Sequence, residues 1–105
     1  MVKTRLEADS IGSMMIPADA YYGVQSLRAN RNFRITGQHM SDEFLRNLAM
    51  IKKAAAITNS HTGDLSSEKA TAIERTCDEI IAGYMKDAFI VDPIQGGAGT
   101  SANMN

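Results

Sequence analysis

Residues 96–105 read Gly96-Gly97-Ala98-Gly99-Thr100-Ser101-Ala102-Asn103-Met104-Asn105. Glycines and an alanine give a backbone that can approach a ligand closely. Two hydroxyls follow, then two carboxamides. This is hydrogen-bonding equipment without net charge, and it suits a small anion such as a carboxylate. A helix starting at Thr100 or Ser101 would add its free N–H groups and the positive end of its dipole. The plainer reading of the same residues is a glycine-rich turn with a Ser or Thr N-cap. No lysine follows the glycines, so the stretch is not a P-loop, and the G-x-G-x-x-G spacing of dinucleotide sites is missing.

A second stretch, Pro17-Ala18-Asp19-Ala20-Tyr21-Tyr22-Gly23-Val24-Gln25-Ser26-Leu27-Arg28-Ala29, places two tyrosines before a glycine and an arginine after it. The tyrosines would frame a pocket or serve as core or interface anchors. Arg28 would pair with a helix acid or, as a planar guanidinium, hold a carboxylate bidentately. His39 falls in a loop, and His61 falls at a helix end where the dipole alone accounts for it. Neither has an Asp, Cys or second His at ligand spacing, so no metal site is expected. Cys77 lies on an apolar stripe and reads as a small buried hydrophobe. No Ser-His-Asp grouping can be argued.

The elements that must position these residues emerge from pattern. Arg5, Leu6, Glu7 and Ala8 alternate, Asp9-Ser10-Ile11-Gly12 carries turn chemistry, and Met14-Met15-Ile16 returns, predicting a β-hairpin over 3–16 closed by Pro17. Residues 18–23 read as a helical turn broken at Gly23, and Val24 to Asn30 as a short helix. Ser41 is a good N-cap with Asp42 and Glu43 in the first turn. Phe44, Leu48, Ile51 and Ala55 then recur at helical spacing, with Leu45 widening the stripe, and the helix should end before Gly63. Ser66 or Ser67 starts another, with Ala70, Ile73, Cys77, Ile80 and Tyr84 as its apolar face. A short loop joins the two, predicting an antiparallel helical pair. Asp92-Pro93 halts any helix after the apolar run 88–91. The fold class expected is α+β, a hairpin plus a helical pair.

With 105 residues, one domain is the natural size. Hydrophobic residues make up 44% and charged residues 22%, so the chain is not disordered throughout. A net charge of −1 with no basic block excludes the phosphate-binding character that nucleic acid demands, and argues against an anionic membrane surface. Apolar runs are too short to cross a bilayer, and residues 1–7 have no signal-peptide core. One cysteine excludes an internal disulfide. A cytoplasmic protein is expected.

The stretches at 17–29 and 95–105 together resemble the aspartase/fumarase superfamily, and the likeness runs from the hairpin to the last residue. In class II fumarases the glycine loop usually reads Gly-Ser-Gly-Thr-x-Ser-Asn-Met-Asn. Ala98 and the serine directly after Thr100 make this the aspartase form. The resemblance implies the N-terminal domain, residues 1–105, of a lyase that reversibly eliminates ammonia from L-aspartate to give fumarate, without an organic cofactor. It further implies that Thr100 and Ser101 hydrogen-bond a substrate carboxylate and that Asn103 braces the loop or reaches the substrate's polar end; Arg28 is counted with them as substrate-binding on the chemistry of its guanidinium alone. The family's catalytic base is a serine on a downstream Gly-Ser-Ser loop that this chain lacks. Its members are homotetramers with a central helical bundle and active sites built from three subunits. The 105 residues alone are therefore expected to be inactive, with a mobile 90–105 tail. Alternatives are a piece of a class II fumarase, or a non-catalytic binding or assembly module.

Overall fold

Strands β1 (Thr4–Ala8) and β2 (Ser13–Pro17) pair antiparallel, with Arg5 opposite Ile16 and Glu7 opposite Met14. Asp9 closes the connection as an Asx turn: its Oδ1 accepts from the Ile11 and Gly12 N–H groups at 3.0 and 3.2 Å. The half-buried face of β1 is the polar one, while Leu6 and Met15 are exposed. The reason lies in the turn after β2. Arg5 donates to the carbonyls of Pro17, Ala18, Ala20 and Tyr22, gathering a turn that would otherwise leave its acceptors unmatched. Residues 18–23 are accordingly turn and bend, not the helical turn the pattern suggested. Tyr21 is fully outside the core, and Tyr22 is half-buried.

Helix α1 (Val24–Asn32) starts at Gly23, which has no side chain to cap it. Glu7 Oε1 does so from the hairpin, accepting from the Val24 N–H at 3.2 Å. A Cβ on Gly23 would sit 3.0 Å from that oxygen, so glycine makes the approach possible. Val24 and Ser26 are buried on α1.

Helix α2 (Asp42–His61) and helix α3 (Ser67–Ile81) are each capped as their sequences direct. Ser41 Oγ accepts from the Phe44 N–H, and Ser66 Oγ from the Lys69 N–H. They pair antiparallel: Lys53 bridges to Asp78 at 2.7 Å, and Lys86, beyond α3, reaches back to Asp42 at 3.0 Å. The contact face of α2 differs from the one expected. Ala49 and Ala56 are buried with Leu45 and Leu48 half-buried, whereas Phe44, Ile51 and Ala55 are exposed. On α3, Ala70 and Cys77 are buried as expected, but Ile73 is partly exposed and Tyr84 lies beyond the helix and outside the core. Burial pushes the Cys77 thiol above its ordinary value, as suits a packed hydrophobe.

After a 3-10 turn at Lys86–Ala88 comes the glycine loop and helix α4 (Thr100–Met104), which packs against α1. The computed structural model describes residues 3–105. It divides into two compact units, one running up to Met40 and taking in Asp87–Asn105, the other Ser41–Lys86. Among the described residues, no helix is long and apolar enough to cross a membrane.

Candidate functional site

The loop that stands out in the sequence is organised by three side chains, Asp92 just before it and Gln95 and Asn105 at the two ends of the 95–105 stretch. Asp92 is buried, and both carboxylate oxygens are engaged. Oδ2 accepts from the Thr36 N–H, the Thr36 hydroxyl and the Gly37 N–H at 2.9–3.1 Å, and Oδ1 from the Ile94 N–H at 2.8 Å. Burial alone would raise its pKa, but the donors from Ile94, Thr36 and Gly37 outweigh it and hold the group below the usual carboxylate range. Gln95 bridges onward, donating to the Asp92 carbonyl at 3.0 Å and accepting from the Ala102 N–H at 2.9 Å. Asn105 closes the far end. Its Oδ1 accepts from the Ile90 and Val91 N–H groups at 3.0 and 3.3 Å, and its Nδ2 donates to the Ala88 carbonyl at 2.8 Å. The 90–105 segment, expected to be a mobile tail, is thus tied at both ends of α4.

Between these anchors the glycines stay open. A Cβ at Gly96, Gly97 or Gly99 would meet nothing within 4 Å. The Gly99 N–H turns back to the Gly96 carbonyl at 3.2 Å, and Gly99 enters α4 at φ 69°, in the left-handed region. Gly99 is therefore the N-cap, and Thr100 and Ser101 are helical residues instead of caps. The N–H groups and hydroxyls of Thr100 and Ser101 have no hydrogen-bond partner among the described residues. Thr100 and Asn103 are exposed and Ser101 is half-buried. A helix of one turn has little macrodipole, so these local donors must do any anion binding.

Arg28, on α1, is engaged elsewhere. Its guanidinium is bonded to Asp9 in the hairpin turn, an acid of the turn and not of a helix. That Arg28 bond, with the Ile11 and Gly12 N–H groups, lowers the Asp9 pKa to about 2. The pair staples the hairpin to α1, and α1 in turn packs against β2 and α4. A shallow cavity of about 220 Å³ near His39, lined also by Phe33, Arg34 and Ile90, takes in none of Thr100, Ser101 or Asn103. His61 ends α2 in the other unit.

Known proteins share both this sequence and this fold. A family model described as lyase matches residues 12–105. An aspartate ammonia-lyase from Bacillus sp is 52% identical over 101 residues, covering 96% of this chain and 22% of that protein. A class II fumarate hydratase from Halobacterium salinarum is 50% identical, again over 96% of this chain and 22% of its own. The crystal structure of a fumarate lyase:delta crystallin from Brucella melitensis matches with a TM-score of 0.93 at 47% identity, covering 97% of this chain and 24% of that one. The chain spans about a fifth of the length of the curated relatives it matches.

Proposed function

This chain belongs to the lyase family of aspartate ammonia-lyases and class II fumarases, and on that premise we propose that it is the N-terminal domain of an aspartate ammonia-lyase. The reaction is the reversible elimination of ammonia from L-aspartate to give fumarate. Overall identity does not separate the two activities, since a fumarate hydratase matches nearly as well as the aspartases. The observation that carries the reading is the loop itself, with Ala98 between the glycines and Ser101 directly after Thr100.

The chemical difficulty is a weakly acidic proton on the carbon beside the β-carboxylate. As a base removes it, the electron pair moves into that carboxylate, which becomes enolate-like and doubly negative. The pair then returns to form the double bond of fumarate as the carbon–nitrogen bond breaks and ammonia leaves. Preorganised donors lower the barrier because they meet charge that grows during the step. Thr100 and Ser101, with two N–H groups and two hydroxyls unengaged by neighbouring side chains, fit that task. Asn103, three residues after Thr100 in α4, is assigned to bracing the loop or to the substrate's polar end. Arg28 matches a carboxylate in chemistry, but its guanidinium is paired with Asp9, so the reading rests on the α4 residues.

The general-base serine and the remaining contacts come from outside these 105 residues, in a cytoplasmic homotetramer, and no organic cofactor takes part. The domain alone is inactive. Supplied with L-aspartate, the full-length protein should release ammonia and fumarate in equal amounts. No ammonia release under conditions where the protein is folded would overturn the reading.

A further inference from the structure

Helix α4 begins in a way that rules out the usual cap. Its N-cap, Gly99, has no side chain, and its left-handed backbone disfavours residues that would supply one. Gln95 performs the task from upstream, its Oε1 taking the Ala102 N–H while its Nε2 holds the Asp92 carbonyl. Asp92 is immobilised in turn by Thr36, Gly37 and Ile94. Gln95 therefore links a buried, fully bonded carboxylate to the turn that presents Thr100 and Ser101.

We propose that Gln95 is a positioning residue for carboxylate recognition, a role that rests on the proposed substrate site at Thr100 and Ser101. By engaging the Ala102 N–H it fixes the turn that carries the Thr100 and Ser101 hydroxyls. Its amide also caps without charge. A carboxylate in the same place could still take the Ala102 N–H, but it would set an oxygen against the Asp92 carbonyl, where Nε2 now donates, and would add charge that repels an anionic ligand.

The test uses the full-length enzyme with L-aspartate and four variants: Gln95→Met, Gln95→Glu, Thr100→Val, and the Gln95→Met/Thr100→Val double. Steady-state kinetics and melting temperature are measured on each. Gln95→Met should lower kcat on the order of ten- to a hundredfold with little change in KM, since misplaced donors fail mainly in the transition state. In the Thr100→Val background the same substitution should cost about threefold or less, because the hydroxyl it positions is already gone. Gln95→Glu keeps the acceptor for Ala102 but loses the donor to the Asp92 carbonyl, so it should lower kcat as Gln95→Met does and also raise KM about tenfold through charge repulsion.

Thr100→Val without effect on kcat would overturn the site reading and this inference with it. An effective Thr100→Val whose loss multiplies in full with that of Gln95→Met would overturn the positioning role alone. So would a Gln95→Met variant that melts lower but turns over normally. Should Gln95→Met fail to fold, Gln95→Glu decides: wild-type kcat and KM contradict the proposal, and a lowered kcat with a raised KM supports it.

Discussion

Thr100 sits as the first residue of α4, exposed, with its hydroxyl unengaged by any described neighbour. Because Gly99 and Gln95 share the work of starting the helix, Thr100→Val removes a donor without removing a cap. The full-length enzyme should lose about a hundred- to a thousandfold in kcat, the usual consequence of deleting one oxyanion donor. Its melting temperature should stay near wild type, and a lowered melting temperature with normal turnover would return Thr100 to a structural role. Asp9 makes a pH prediction of definite sign. Its folded pKa of about 2 lies below the ordinary 3.8, so the stability it adds is present above the ordinary value and is lost as pH falls through about 2. Wild type should therefore melt above Asp9→Asn at neutral pH, and the gap should close in strong acid. The pair is solvent-accessible, so the gap will be small. A gap that widens on acidification would contradict the assignment.

Helix α2 carries two apolar stripes, and only one of them was readable from bulk. Phe44, Leu48, Ile51 and Ala55 form the more hydrophobic line, yet Ile51 is 65% exposed. The face that meets α3 is set by Ala49 and Ala56 against Ala70 and Cys77, small residues that let two backbones come close. Helix existence, caps and antiparallel pairing were legible because Ser41 and Ser66 are strong local signals. The choice of face was not, because it depends on how near the partner comes. Ala56→Leu should overpack this contact and lower stability by about 1–3 kcal/mol in chemical denaturation. Ile51→Thr should change it by about 0.5 kcal/mol or less, and the reverse order would return the contact to the bulkier stripe. The loop divides in the same way. Its glycines, hydroxyls and carboxamides stand out in the sequence, but Gly99 as N-cap, Gln95 as the acceptor for Ala102 and Asn105 as a clamp on Ile90 and Val91 are tertiary roles that residue type does not announce.

The molecule as a whole couples a hairpin, α1 and α4 in one unit through polar side chains and not through a large apolar core. Arg5 gathers the 17–22 turn, Glu7 caps α1, the Asp9–Arg28 pair fixes the hairpin to α1, and α1 packs on the helix that carries Thr100 and Ser101. Family membership rests on the lyase match over residues 12–105, while the particular reaction rests on the residues of one loop. Fumarate formation by one preparation of the full-length protein should be followed with L-aspartate and with L-malate at equal concentrations. L-Aspartate should give rapid fumarate production with matching ammonia release, and L-malate a far slower rate. Faster production from L-malate would make the protein a hydratase and contradict the reading of Ala98 and Ser101.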